Sequence, residues 1–261
     1  MVRLPLASWD NFVLKSPFLM ENEHLLPRKT FKEVLKDQKC VLGFDIDGVL
    51  INTPKLVAEK LNKEFDLKRK ILPVEINEWY AVQDFLVRKF GWEKQKAYDY
   101  ELYIWTEPEM VKDARPMPGA RTFTKELTEI DVPFFVYSSR KPALQEVTYA
   151  TFAKWFPWID PEQIVLRSKD NSHVPGPVFK AYTVTTKGIT HHIDDDYLHI
   201  LDVLSLTRAS AFLLSNKLYP DYYISPRLRR VSNPNLSKMP DLKDVQASLV
   251  QDPTILYVAQ S

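Results

Sequence analysis

The segment Val41-Leu42-Gly43-Phe44-Asp45-Ile46-Asp47-Gly48-Val49-Leu50 constrains this chain more than any other. An apolar run ends at two aspartates one residue apart, and a glycine comes at once after them. The spacing predicts a buried strand over residues 41–45. Gly48 lets the chain turn sharply just beyond it. Asp45 and Asp47 are then presented at the carboxyl end of a strand, where open α/β sheets build their sites. Two carboxylates that close repel each other unless a cation or a proton lies between them. Bound Mg²⁺ is the simplest compensation. An isolated D-x-D-G can equally be a turn whose aspartates bond nearby backbone N–H groups, so the motifs further along the chain decide between the two.

Length and charge narrow the classes. A chain of 261 residues, 45% hydrophobic, can bury one large domain, or a core domain with an insertion. A formal net charge of +1 provides no global field for nucleic acid or membrane. The single cysteine, Cys40, excludes an internal disulfide framework and fits a reducing compartment. No apolar run approaches the ~20 residues that span a bilayer. Asp10, Glu21 and Glu23 give the amino-terminal stretch a character unlike a signal peptide. A cytoplasmic protein is expected.

Periodicity then sets the organisation. Residues 1–38 read as an extension with a helix near Phe31 to Lys36. A helix is predicted from Pro54, a good first-turn residue after Asn52 and Thr53. Residues 75–105 read as helical, broken near Gly91, and Pro108, Pro116 and Pro118 then interrupt the chain. Beyond them the pattern alternates. Helices are expected at 120–130, 142–156, 177–187 and 197–206, and strands at 132–137, 163–166, 189–193 and 209–214. Such alternation implies βαβ units: an α/β fold with a Rossmann-like, mostly parallel sheet flanked by helices. The segment 53–117 lacks the alternation and reads as an inserted helical cap. The core would comprise 39–52 and 118–215. Residues 216–261 form a polar tail packing on that core, its basic run Arg227, Arg229 and Arg230 reading as a solvated face or a wrap.

Three later features fall at strand ends or helix starts. The strand at 132–137 ends in Ser138-Ser139-Arg140, where a hydroxyl and its neighbouring N–H can hold a phosphoryl oxygen. The strand at 189–193 ends in Asp194-Asp195-Asp196, oxygen ligands suited to a hard cation, or a helix cap. Between them Lys180 is expected in the first turn of a helix, where the dipole disfavours a cation. It is therefore preferred over Lys141, Lys154, Lys169 and Lys187 as the lysine that ties carboxylates to a phosphate.

In this order the four motifs resemble those of the haloacid dehalogenase-like superfamily of phosphohydrolases and phosphotransferases, over about residues 40–215. The resemblance implies that Asp45 is a nucleophile forming an aspartyl-phosphate. Asp47 would be its acid/base partner. Mg²⁺ would be held by the Asp45 carboxylate, the Asp47 backbone carbonyl and Asp195, with Asp194 in support. Ser138, Ser139, Lys180 and Arg140 would bind phosphate. An acid at position 47 favours a phosphatase within that superfamily.

A closer similarity is to the 5'(3')-deoxyribonucleotidases, which implies a small phosphorylated substrate such as a nucleoside monophosphate. Arg140 departs from that group, where proline usually follows the hydroxyl pair. Ser-x-Arg there is similar to the phosphatase domain of phage polynucleotide kinases, so a polynucleotide-end phosphatase is an alternative. A non-catalytic phospho-ligand binder on the same fold is another. Nucleic acid is not favoured by the charge, and no membrane partner is expected. Finally, nine aromatics crowd the cap: Trp79, Tyr80, Phe85, Phe90, Trp92, Tyr98, Tyr100, Tyr103 and Trp105. Most are expected to form its core, with one or two free to line the pocket and stack on a base.

Overall fold

In the computed structural model, the residues described are 39–76, 80–215, 227–231, 242 and 245. The expected helix near Phe31 to Lys36, and the extension that holds it, lie outside them.

The sheet has six strands in the order β3-β2-β1-β4-β5-β6, and every neighbouring pair is parallel. They are β1 (Leu42–Phe44), β2 (Phe134–Ser138), β3 (Ile164–Leu166), β4 (His191–Asp194), β5 (Ser210–Leu214) and β6 (Leu228–Val231). Strand β1 is central, with Leu42 opposite both Phe134 and His191. It is fully buried, as an apolar strand between two parallel neighbours must be. Phe44 packs edge-on to Phe123 and Phe134 on one face. On the other face Gly43 lies so close to Tyr137 and Ile189 that a Cβ would come within 2.7 and 2.8 Å of them. Five strands fall where the alternation places them. The sixth, β6, falls in the expected tail: Leu228 and Val231 are buried, and Arg227 donates to the carbonyls of Thr207 and Ala209. Four residues with two arginines carry too little apolar pattern to read as a strand.

Four helices lie between β1 and β2: α1 (Thr53–Glu64), α2 (Ala81–Phe90), α3 (Lys94–Thr106) and α4 (Pro108–Lys112). The Asn52 side chain accepts from the Lys55 N–H and so caps α1, and Gly91 ends α2 at φ 66°. Pro108, expected to interrupt the chain, instead opens α4 as its first residue. These helices share a core of Val57, Leu61, Val82, Leu86, Ala97 and Ile104. Phe65 stacks on Phe90 at 4.8 Å, and Trp92 meets Tyr100 edge-on at 5.6 Å. Most of the described cap aromatics are therefore structural, as the composition suggests, while Trp79 lies outside the described residues. The chain returns beside its own exit: the Asn52 N–H donates to Arg115 O, and the Met117 N–H to Leu50 O.

The remaining helices cover the sheet: α5 (Ala120–Glu129), α6 (Gln145–Trp155), α7 (Gly176–Thr186) and α8 (Tyr197–Leu206). Among the described residues, no helix is long and apolar enough to cross a membrane.

Glu101 of α3 is fully buried and accepts the Gln83 N–H at 3.2 Å, so it caps the first turn of α2 from a neighbouring helix. Burial pushes its carboxyl up from 4.5 to about 7, against the backbone donors. A folded pKa above the unfolded one adds stability below the unfolded value, and that stability is lost as pH rises through the folded value. The window here is pH 4.5 to about 7. We expect Glu101→Gln, which mimics the neutral acid, to remove about 1–3 kcal/mol of pH-dependent destabilisation across that window. Urea denaturation of both proteins at pH 5 and pH 8 measures it.

Candidate active site

The site lies at the carboxyl ends of β1, β2 and β4, facing the α1–α4 helices. Beyond β1 the chain coils tightly: the Leu50 and Ile51 N–H groups both donate to Ile46 O, and Gly48 adopts φ 73°. A Cβ on Gly48 would overlap the Asp195 carboxylate, so the absent side chain is what lets the two loops approach. Asp45, Asp194 and Asp195 are buried, and each offers one oxygen within 4.8 Å of the others.

Lys180 is buried among them. Its Nζ lies 2.9 Å from Asp45 Oδ1, 2.6 Å from Asp194 Oδ2 and 3.0 Å from His199 Nδ1. Helix α7 begins at Gly176, so Lys180 sits one turn inside it rather than in the first turn. The carboxylates, not the dipole, account for its position. The rival lysines are elsewhere: Lys154 and Lys187 lie over the rings of Trp155 and Phe135, while Lys141 lines the cavity without touching these acids.

Charge is distributed unevenly. Burial pushes the Asp45 carboxyl up to about 7, with Asp194 and Asp47 adding repulsion and Lys180 opposing. Asp195 is raised by burial and by the charges of Asp194 and Asp45. Asp194 is held low despite burial, because Lys180 and His192 face it. Its Oδ2 receives Lys180 and lies 3.1 Å from His192 Nε2, and its Oδ1 accepts the Asp196 N–H at 3.0 Å. Asp194 is thus committed to the protein, whereas Asp45 and Asp195 form an excess of buried negative charge. Asp196 caps α8, accepting the Leu198 and His199 N–H groups.

Asp47 is set apart. Arg140 grips it bidentately, Nη2 on Oδ1 at 2.6 Å and Nε on Oδ2 at 2.8 Å, while Thr53 of α1 donates to Oδ1. Although burial opposes it, Arg140 holds this carboxyl below the usual carboxylate range. Arg140, expected to bind phosphate, thus has its guanidinium on an aspartate. Ser138 is buried at the end of β2, its Oγ accepting the Arg140 N–H at 3.3 Å. Ser139 comes next at the cavity wall, against Gly176.

Three partners are absent from the sequence-based expectations. Tyr137 donates to His192 Nδ1, His192 faces Asp194, and His199 accepts from Lys180. Burial lowers the pKa values of both histidines. One signal points to His192 alone: His191-His192 is a polar pair within a strand. Asp45, Asp47, Asp194, Asp195 and Lys180 line a cavity of about 750 Å³, whose lining also includes Tyr80, Tyr98 and Trp105. Tyr80 and Tyr98 lie outside the helical core, whereas Trp105 also packs against it.

The sequence profile of the family described as "5' nucleotidase, deoxy (Pyrimidine), cytosolic type C protein" matches residues 39–179, more than half of the chain. The chain belongs to this family. It is a phosphohydrolase of the haloacid dehalogenase-like superfamily. No curated protein matches it. Among solved structures, it is similar to a family hydrolase of Deinococcus radiodurans R1 with bound phosphate and sodium: 16% identity, 70% of this chain and 84% of that one, TM-score 0.47. A second is a putative haloacid dehalogenase-like hydrolase of Bacteroides fragilis: 13% identity, 75% and 97% coverage, TM-score 0.48. A third is a family IA, variant 3 hydrolase of Entamoeba histolytica: 15% identity, 69% and 86% coverage, TM-score 0.46.

Removing one partner of a buried ion pair strands the other charge. We expect Lys180→Met to cost roughly 3–5 kcal/mol of stability. Adding Asp194→Asn should restore part of it. Denaturant titration of the two single variants and the double variant measures this coupling.

Proposed function

We propose that the nucleotidase-family protein is a Mg²⁺-dependent phosphatase that hydrolyses a phosphate monoester through an aspartyl-phosphate on Asp45, with a nucleoside monophosphate as substrate class. The observation carrying this reading is the convergence of Asp45, Asp194, Asp195 and Lys180 at the floor of one cavity. In the proposed division of labour, residues 39–52 and 118–215 form the catalytic core and 53–117 the cap. The expected extension 1–38, and the expected tail 216–261 apart from 227–231, 242 and 245, lie outside the described residues. The cytosolic description of the family and the lone cysteine support a cytoplasmic location.

The residues present suit a hard divalent cation. Asp45 and Asp195 carry the negative excess, their pKa values are raised in the metal's absence, and Gly48 leaves room between the loops. Phosphohydrolases of this superfamily generally use Mg²⁺. Asp45, Asp195 and the Asp47 backbone carbonyl would hold it, with Asp194 aligning the group through Lys180 and His192. Bound there, it would supply charge neutralisation to the phosphoryl oxygens.

The side chains would divide the rest. An Asp45 oxygen attacks phosphorus, and the bond to the leaving oxygen breaks with its electron pair on that oxygen. The leaving oxygen takes a proton from the protonated form of Asp47, the minor form at neutral pH because Arg140 favours the carboxylate. Water then attacks the aspartyl-phosphate, returning a proton to Asp47 and releasing inorganic phosphate and the free Asp45 carboxylate. Lys180, Ser138 and Ser139 hold phosphoryl oxygens throughout. The support for a nucleotide is the family description together with Tyr80, Tyr98 and Trp105 along the cavity wall, where a base can stack.

Phosphate release from nucleoside monophosphates, sugar phosphates, p-nitrophenyl phosphate and a 3'-phosphorylated oligonucleotide tests the reading. Mg²⁺-dependent release is expected, strongest for nucleoside monophosphates and abolished in Asp45→Asn. Activity retained in that variant would sink the mechanism. Gly48→Ala should cost about 1–2 kcal/mol of backbone strain and displace Asp195. Calorimetric titration with Mg²⁺ should then show binding at least tenfold weaker than in the wild type.

A further inference from the structure

Arg140 is the residue whose observed contacts fit its expected role least. It is buried. Its Nε and Nη2 hold the two oxygens of Asp47, Nη1 donates to Thr148 Oγ1 at 2.9 Å, and Nη2 also lies 3.4 Å from Thr53 Oγ1. Thr148 is fixed in turn, donating to Leu144 O at 2.7 Å. Four of the five guanidinium N–H bonds are therefore engaged by the protein. A phosphate could recruit this fork only by breaking a bidentate pair.

The two Asp47 oxygens are not equivalent. A carboxylate oxygen accepts about two hydrogen bonds. Oδ1 takes Arg140 Nη2 and the Thr53 hydroxyl, which fills it. Oδ2 takes Arg140 Nε alone and keeps one acceptor position. The Asp47 side chain lines the cavity and is 26% exposed. Lysine could not substitute, since a point charge fixes neither the plane of the carboxylate nor the choice of oxygen.

We propose that Arg140 is a positioning residue for proton transfer. It locks the carboxylate plane of Asp47 with Thr53 and leaves Oδ2 as the oxygen that exchanges a proton with the leaving group. The inference rests on the reading of Asp47 as the acid/base residue. The P–O bond of the leaving group breaks as its oxygen takes the proton from Oδ2, and the attacking water later returns a proton to the same atom. Arg140 itself neither gains nor loses a proton and does not touch substrate.

The test exploits leaving groups that differ in their need for a proton. Single-turnover release of the alcohol isolates the first step, in wild type, Arg140→Gln, Arg140→Lys, Thr148→Val and Asp47→Asn, all with Mg²⁺. Nucleoside is a poor leaving group that requires protonation, and p-nitrophenolate requires almost none. Positioned acids contribute about 10²–10⁴-fold. Both Arg140 variants should therefore lose nucleoside release at least tenfold more than p-nitrophenol release, and Thr148→Val should lose it in the same direction but less. Inhibition by inorganic phosphate should keep its wild-type strength. Equal losses on both esters with weaker phosphate inhibition would overturn the proposal and return Arg140 to phosphate binding. No selective loss in any Arg140 or Thr148 variant would overturn it too. Asp47→Asn separates the two readings. If it releases nucleoside at the wild-type rate, the acid/base assignment fails. If it loses that rate while Arg140→Gln and Arg140→Lys do not, only the positioning role fails. Should Arg140→Gln not fold, Arg140→Lys and Thr148→Val carry the same comparison.

Discussion

The site depends on one buried ammonium. Lys180 lies within 2.9 Å of Asp45 and 2.6 Å of Asp194, all three out of solvent. Burying an ion is expensive, and mutual attraction compensates only when geometry is good and remaining hydrogen-bond positions are filled. Here the filling is thorough on one side. Asp194 receives Lys180 and the Asp196 N–H, and Tyr137 orients the His192 ring that faces it. On the other side it is incomplete. Asp45 and Asp195 retain more negative charge than Lys180 can offset, and both carboxyls are raised. The hydrogen bonding is thus finished around Asp194 and unfinished around Asp45.

Much of this is legible in the sequence because strand ends and turns are local. The run Val41 to Phe44, the D-x-D-G turn, Ser138 after an apolar strand and Asp194-Asp195 after another each sit within a few residues of the signal that reveals them. The parallel sheet brings those signals together, and the alternation of elements announces the sheet. The illegible part depends on distance in the chain. Arg140 and Asp47 are 93 residues apart, Tyr137 and His192 are 55 apart, and no local pattern links them. A single sequence reveals that Arg140 is cationic and follows the hydroxyl pair at a strand end. It does not reveal the carboxylate across the cavity. Strand β6 is hidden for a different reason: with Arg229 and Arg230 between Leu228 and Val231, its pairing to β5 is set by backbone bonding more than by apolar alternation.

The aromatic-rich helices separate two demands. A small helical unit needs bulky side chains to hold together, and Phe65, Phe90, Trp92 and Tyr100 meet that need by packing on one another. Tyr80, Tyr98 and Trp105 lie along the cavity, Trp105 also packing on that core. Tyr80 holds φ 68° at the start of α2, an uncommon conformation for a bulky side chain. Its surroundings account for that position. Glu101 caps the helix that Tyr80 begins, and the Tyr80 ring lies 6.1 Å from that of Tyr98. The buried carboxyl therefore supports a cavity wall as well as a helix end.

The link between helices and chemistry is covalent as well as spatial. Only five residues separate Asp47 from Thr53, the first residue of α1. Within that stretch the Gly48 N–H donates to Ile51 O, Ile51 pairs with Pro116, and Asn52 donates to Arg115. The outgoing and returning chains thus brace one another at the point where they leave the sheet. Thr53 then donates to the carboxylate that Arg140 grips, and Arg140 is anchored on α6 through Thr148. Rotating α1 away would withdraw the Thr53 hydroxyl, while the guanidinium would stay fixed by the sheet side. Asp47 is therefore the one site carboxylate whose hydrogen bonding reports on both layers. Asp45, Asp194 and Lys180 contact one another within the α/β layer. In the proposed mechanism, phosphate binding would draw on the α/β layer and proton transfer on the junction.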